Sequence, residues 1–152
     1  MSAQEIKITR VFDAPRELVW AAWTDPDQLP HWWGRRGWTA VRSSITMDVR
    51  PGGTFRVTSV SDEDGAQMTT VAVYREVVEP HRLVLEEPAE HAWHDGAVSV
   101  LTFTDLGDGR TEMVLHATIR TTDHLRGVAE AGLRSAIDRL AEHLNHDPKE
   151  TR

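Results

Sequence analysis

The stretch that decides the fold is residues 123–144, which read DHLRGVAEAGLRSAIDRLAEHL. Apolar side chains recur there every three or four residues for about six turns, which is the period of an α-helix. The opposite face carries charged side chains, among them Arg134, Asp138 and Arg139. Thr122 and Asp123 offer side-chain oxygens for the N-terminal cap. We therefore predict a helix about 33 Å long. Its apolar stripe is Leu125, Val128, Ala129, Leu133, Ala136, Ile137, Leu140, Ala141 and Leu144.

Upstream of this helix the apolar period is two, as in strands that bury one face. Turn signals such as Pro51-Gly52-Gly53 and Asp64-Gly65 separate the strands, and connections this short favour antiparallel pairing. We predict strands at residues 5–12, 41–49, 54–60, 68–78, 82–86, 97–104 and 111–120.

Two short helices are predicted between the first two strands. Asp13 is placed to cap the first helix, and Leu18, Val19, Ala22 and Trp23 form its inward face. The second helix ends at Gly34, and Pro30 in its middle predicts a distorted turn.

An antiparallel sheet with one apolar face needs a covering layer, and only the terminal helix is long enough to provide it. We therefore predict a single α+β domain over residues 1–152, in which a curved antiparallel sheet of about seven strands surrounds the long C-terminal helix. Such an arrangement leaves a space between sheet and helix that is either packed or hollow. The alternative for the long helix is an exposed surface that joins two copies as a homodimer.

The composition argues against several classes of protein. The 152 residues include no cysteine, which excludes disulfides and thiolate metal sites and suits a cytoplasmic location, as we expect here. A net charge of −7 with scattered basic residues argues against a nucleic-acid partner. No apolar run reaches the roughly 18 residues of a membrane span, so no membrane partner is expected. The six tryptophans suit an apolar lining as well as a solid core.

Short motifs follow one another in a characteristic order along residues 5–144. They are Arg10-Val11-Phe12-Asp13-Ala14-Pro15, Trp23-Thr24-Asp25-Pro26, Trp32-Trp33-Gly34, Asp48-Val49-Arg50-Pro51-Gly52-Gly53, Tyr74-Arg75-Glu76-Val77, Pro80-His81-Arg82-Leu83 and Ser135-Ala136-Ile137-Asp138-Arg139-Leu140. In this order they resemble the family of activator of heat-shock-protein-90 ATPase-like proteins, within the SRPBCC or START-like superfamily. The resemblance implies a helix-grip fold, as in birch pollen allergen and lipid-transfer domains, with a deep apolar cavity.

The resemblance also implies a function, namely binding of a small, mostly apolar molecule, lipid-like or polyketide-like, in the cavity. Two alternatives stay open: a polyketide cyclase or dehydratase that uses the same cavity, and an interaction domain that modulates a heat-shock ATPase. The family usually has an aromatic residue, often Trp, where this chain has Leu133, and it tends to lack a proline at Pro30. Both positions are expected at the cavity mouth, where Leu133 should widen the space.

Seven residues are candidates for ligand binding. Trp33 and Trp38 are expected to cover the mouth, whereas Trp32 is expected to pack in the core. Tyr74 and His116 would orient a ligand if their strands turned them inward, as would Glu86. The seven candidates are Trp33, Trp38, Tyr74, Trp93, His94, His116 and Leu133.

Neither a metal nor a cofactor is expected. His91 and His94 have a spacing that suits metal ligands on a helix, but they lie in an unpatterned stretch without a matching third ligand. The chain has no glycine-rich phosphate loop and no Ser-His-Asp spacing, so no catalytic residue is assigned.

Overall fold

The computed structural model describes residues 2–89 and 94–145, and within them it contains eight strands and two α-helices. Two short 3-10 turns, Leu29–His31 and Arg42–Ser44, complete the elements. In chain order the strands and helices are β1 (Ser2–Phe12), α1 (Arg16–Thr24), β2 (Trp38–Ala40), β3 (Thr46–Met47), β4 (Thr54–Ser61), β5 (Gln67–Val78), β6 (Arg82–Glu87), β7 (Ala97–Gly107), β8 (Arg110–Thr121) and α2 (Asp123–Asn145).

One curled antiparallel sheet contains all of these strands. Its order is β1-β8-β7-β6-β5-β4-β2, and β3 pairs with β4 beside this path. Side chains at alternate positions form an inner, apolar face. Leu83, Leu101, Leu115 and Ile8 lie in one row across four neighbouring strands and are at most 3% exposed. The architecture confirms the predicted helix-grip fold.

The structure differs from the prediction at residues 41–49, which do not form one strand. The chain there makes β2, a 3-10 turn and β3. The Ser44 hydroxyl donates to the Val41 carbonyl at 2.6 Å and accepts from the Thr58 amide at 2.9 Å. A side chain therefore takes the place of a strand backbone in the ladder, which interrupts the strand.

The first helix also departs from the prediction in two details. Its N-cap residue is Pro15, and no side chain caps it, so the predicted cap at Asp13 is wrong. The buried stripe of α1 is Val19, Trp20, Ala22 and Trp23, whereas Leu18 is 50% exposed at the border of this stripe. The second predicted helix is a single 3-10 turn that contains Pro30, as the distortion expected there requires.

The long helix confirms the prediction made from its period. It begins after Thr122, whose hydroxyl accepts a hydrogen bond from the Leu125 amide at 3.2 Å. The side chains of the helix that are fully buried are Ala136, Ile137 and Leu140, and all three lie in its C-terminal half. The N-terminal half lies less deeply, and the side chains of its apolar stripe are half-buried or, at Val128, exposed. Ala129 and Leu133 still pack against the core, so the C-terminal half is the more deeply packed part of the helix.

Arg139 makes contacts that the sequence did not predict. Its Nη1 lies 2.8–3.3 Å from the backbone carbonyl oxygens of Trp33, Gly34, Arg35 and Trp38. The loop at residues 33–38 turns at Gly34, which has φ +86° and so favours glycine. The guanidinium is thus a carbonyl clamp that fastens this loop to α2, rather than a solvated charge on the outer face.

Truncation of a buried side chain in the C-terminal half of α2 should lower the free energy of unfolding more than truncation of an exposed side chain in the N-terminal half. Leu140→Ala is expected to lower the free energy of unfolding by ~2–5 kcal/mol, because it leaves a cavity in the core. Val128→Ala should change it by less than ~0.5 kcal/mol, because this side chain is exposed. Urea denaturation of both variants measures the difference, and equal shifts would contradict the assigned stripe.

Loss of the carbonyl clamp should destabilise the protein even though arginine is usually a surface residue. Arg139→Ala is expected to lower the free energy of unfolding by about 1.5–3 kcal/mol, as for hydrogen bonds to a charged group. The matched control is Arg134→Ala, which removes an exposed ion pair with Glu130 on the same helix and should have an effect of about 0.5 kcal/mol or less. A neutral result for Arg139→Ala in urea denaturation would show that the clamp contributes nothing to stability.

Candidate ligand-binding cleft

Several inward-facing side chains of the sheet and of the N-terminal half of α2 are only partly buried. Thr70 lies opposite Val57, and Ser99 opposite Ala117, which are fully buried residues of the inner face. Thr70 and Ser99 nevertheless remain half-buried, as do the apolar side chains of the helix above them. Two layers that closed on each other would bury these residues completely. We call the region between these sheet residues and the N-terminal half of α2 the inner cleft, and its half-buried side chains are Thr70, Leu85, Ser99, Leu125, Ala129 and Leu133.

A connected group of aromatic rings forms one wall of the interior. The Trp33 ring is 5.2 Å from Phe55, centroid to centroid, and Phe55 is 6.3 Å from Tyr74. Trp23 meets the edge of Trp33 at 6.4 Å. Edge-to-face and tilted contacts of this kind stabilise aromatic clusters beyond the burial of their area. The wall therefore presents a rigid apolar surface.

The two neighbouring tryptophans have different roles. Trp32 is buried and donates its indole N–H to the Ala22 carbonyl at 3.1 Å, which ties the 3-10 turn to α1. The expectation that Trp32 packs in the core is confirmed. Trp33 is half-buried against the core, and Trp38 is half-buried at the other end of the clamped loop.

The loop that carries Trp33 and Trp38 is also fixed to α2 beyond the carbonyl clamp. The Arg36 amide donates to the Ser135 hydroxyl at 3.0 Å, and the Arg36 guanidinium pairs with Glu142. These contacts fix the loop to α2. Trp33 and Trp38 therefore lie at the two ends of a loop that is attached to the helix that carries Leu133.

Tyr74 faces inward and has a polar atom that is not satisfied. The side chain is 1% exposed, and its hydroxyl has no hydrogen-bond partner among the described residues. Burial, together with the negative charge of Asp48, raises the pKa of the phenol above its ordinary value. The hydroxyl therefore stays protonated and is available as a donor.

A second polar group faces inward at the end of β6. Glu87 lies opposite Ala97, an inner-face residue, and its side chain is 25% exposed. His94 is fully buried beside it, with Nε2 at 3.4 Å from Glu87 Oε1. The Gly96 amide donates to His94 Nδ1 at 3.0 Å, so the proton of a neutral ring is on Nε2, the nitrogen on the side of Glu87.

His116 is the candidate that the structure does not bring to this space. Its neighbours Leu115 and Ala117 are buried on the inner face, so alternation turns the imidazole to the outer face. There its Nε2 lies 3.0 Å from Glu5 Oε1. Glu86 also points outward and pairs with Arg75 at 2.6 Å. Trp93 lies outside the described residues.

A depression of about 460 Å³ lies on this outer face. The deep apolar cavity that the family resemblance implies between helix and sheet stays a prediction. The outer depression is lined by Glu5, Lys7, Val100, Thr102, Val114 and His116.

The described residues place no three His, Asp or Glu side chains so that they could hold a metal ion. Within the same residues, neither helix is both long and apolar enough to cross a bilayer.

Two contributors to the site were missed by the sequence reasoning. Glu87 has the same strand parity as Leu83 and Leu85, so alternation along β6 was a usable signal for its inward direction. Arg139 gave no signal, because its partners lie about a hundred residues away in the sequence.

Solved structures of several bacterial proteins share this fold. Protein CV1439 from Chromobacterium violaceum superposes with a TM-score of 0.82 at 22% identity, over 94% of this chain and 98% of that chain. The AHSA1 protein from Silicibacter pomeroyi gives 0.80 at 19% identity, over 93% and 98% of the two chains. A protein from Arthrobacter aurescens gives 0.79 at 24% identity, over 95% and 87%. At these identities the likeness concerns the fold alone.

The sequence itself was compared with curated proteins and with protein families. No curated protein matches it. The model of the family described as activator of Hsp90 ATPase homolog 1-like protein matches residues 13–145, which is most of the chain. This chain therefore belongs to the family of activator of Hsp90 ATPase homolog 1-like proteins.

Proposed function

We propose that the protein binds a small, mostly apolar molecule in the inner cleft. The observation that carries this proposal is the incomplete burial of inward-facing side chains between α2 and the sheet. Apolar side chains that remain accessible on facing layers gain free energy when a ligand covers them, by about 25 cal/mol for each Å² removed from water.

The lining has the character of a binding site for a small organic molecule. Such sites are mostly apolar and aromatic, with a few polar groups that orient the ligand. In the proposed site, Leu85 and Leu133 supply aliphatic surface, and the half-buried Trp33 and Trp38 supply aromatic surface. The Tyr74 hydroxyl is a polar group of the interior that the described protein leaves unsatisfied. Unsatisfied buried polar groups are rare in native cores and call for an explanation, such as a functional role.

The two alternative functions have less support. Of Tyr74, Glu86 and His116, the residues that could serve a cyclase or dehydratase as acid or base, Tyr74 faces inward, whereas Glu86 and His116 lie on the outer face. The family name alone suggests an ATPase partner, and no surface feature described above favours one. The cytoplasmic location and the homodimer stay predictions.

The function can be tested by narrowing the cleft at one position. A neutral, environment-sensitive dye such as dansylamide is expected to bind the wild-type protein at micromolar concentrations. Leu133→Trp should weaken this binding at least several-fold, because the larger ring fills space between α2 and the sheet. Fluorescence titration measures both affinities, and circular dichroism verifies that the variant is folded.

The matched control is Val128→Trp, which introduces the same ring at an exposed position of the same helix. This variant should bind the dye like the wild type. Absence of dye binding by the wild type, or equal binding by all three proteins, would refute the proposed site.

Removal of the Tyr74 hydroxyl should stabilise the protein without ligand. Tyr74→Phe is expected to raise the free energy of unfolding by about 1–3 kcal/mol at neutral pH, because an unsatisfied buried group is removed. The stability of the wild type should also fall as the pH rises above about 10, where the phenol ionises in the unfolded chain but stays protonated when folded. The variant should lack this component of the fall.

Urea denaturation at pH 7 and at about pH 10.5 measures both effects. Since Tyr74 is the sole tyrosine of the sequence, the ultraviolet absorbance of tyrosinate reports its ionisation directly. Tyrosinate formation in the folded protein at the ordinary pH of a free phenol would contradict the buried environment.

A further inference from the structure

The Glu87 carboxylate lies at the end of β6, on the inner face of the sheet. Its strand neighbour on the inner face, Leu85, lines the inner cleft, and Ser99 lies opposite Leu85 on β7. A carboxylate placed among such side chains is unfavourable unless it is paired or hydrogen-bonded. The inward direction of Glu87 therefore calls for partners that offset its loss of water.

The protein supplies one such partner and fixes it firmly. His94 is fully buried, its Nδ1 accepts from the Gly96 amide, and its Nε2 lies 3.4 Å from Glu87 Oε1. The backbone around it is tied to β8, since the Asp95 amide donates to the Arg120 carbonyl at 2.8 Å and the Arg120 amide donates to Gly96 at 3.0 Å. The imidazole is therefore fixed next to the carboxylate, at ion-pair distance.

The carboxylate retains capacity for further hydrogen bonds. An ionised carboxylate accepts about four hydrogen bonds, and the ion-pair partner of Glu87 among the described residues is His94 alone, at 3.4 Å. The side chain keeps a quarter of its surface accessible. A donor that entered the inner cleft would thus meet an acceptor that is already oriented.

We propose that Glu87, positioned by His94, is the polar anchor of the inner cleft and selects ligands that carry a protonated amine at one end of an apolar body. This inference rests on the proposed binding function. The inference adds a ligand class to that function. A purely hydrocarbon ligand would remove water from the carboxylate and offer no hydrogen bond in its place, which is unfavourable. A cationic amine gives both a donor and an opposite charge at the same point.

The inference is tested with two probes that share one fluorophore. Dansylcadaverine has a primary amine at the end of a five-carbon chain, and its N-acetyl derivative is neutral and slightly larger. The wild-type protein should bind the amine about fivefold more tightly at low ionic strength, as expected for one ion pair. Added salt should reduce this preference and leave the affinity for the acetylated probe unchanged.

Three variants assign the preference to the carboxylate and to the cleft. Glu87→Gln keeps the size of the side chain and should reduce the affinity ratio of the two probes to about one, with unchanged affinity for the neutral probe. Glu86→Gln is the matched control, because it makes the same change one residue earlier on the outer face, and it should keep the wild-type ratio. Leu133→Trp should weaken both probes if they share the inner cleft.

The outcomes separate this inference from the function on which it rests. Binding of the neutral probe without any preference for the amine, or a preference that survives in Glu87→Gln, would refute the anchor and leave the binding function intact. Failure of both probes to bind the wild type would refute the binding function, and the anchor with it. If Glu87→Gln does not fold, the salt dependence of the two wild-type affinities decides, and a preference that is independent of salt overturns the proposal.

Discussion

The architecture depends on the contact between the C-terminal half of α2 and the inner face of the sheet. Ile137 and Leu140 are buried there, and the helix packs mainly along β1. A rigid rod that is fixed along one half holds its other half at a defined height above the sheet. The N-terminal half, whose side chains are only partly buried, is thereby held in place next to the inner cleft. The deeply buried and the partly accessible side chains of α2 thus lie in different halves of the helix.

The carbonyl clamp extends this division to the loop at residues 33–38. Arg139 lies in the anchored half of α2, yet it fastens the segment that carries Trp33 and Trp38. Backbone carbonyls at a turn have no strand partner, and one guanidinium group satisfies several of them at once. The loop is thereby held by the C-terminal half of the helix, and its two tryptophans stay half-buried. This arrangement gives Trp33, and with it the aromatic wall, a fixed position.

The sequence predicted those features that arise from one-sided burial. Periods of 3.6 and two report which face of an element is apolar, so α2 and most strands could be predicted from the chain alone. Features that depend on single polar contacts could not be predicted in this way. Ser44 interrupts a predicted strand because its hydroxyl occupies the ladder, and Arg139 resembles any solvated arginine until its distant carbonyl partners are known.

The direction in which polar side chains of the strands point could be predicted for some residues and not for others. His116 stands between Leu115 and Ala117, and a strand that buries both neighbours must turn the residue between them outward. Glu87 follows Leu83 and Leu85 at the same parity and faces inward for the same reason. Tyr74 is less regular, since the register with β6 shifts between Tyr74 and Glu76, and a shift of that kind cannot be inferred from alternation.

The two ends of the sheet have a consequence for self-association. A half-barrel, unlike a closed barrel, leaves two edge strands, and unpaired edges are templates for the addition of another chain. One edge is β2, which is only three residues long. The other edge is the eleven-residue β1, which carries the charged residues Glu5 and Lys7. This strand runs beside α2, and its Arg10 forms an ion pair with Asp138 of that helix. Shortness protects one edge, and charge with a neighbouring helix protects the other, so the open sheet is guarded against growth into a larger sheet.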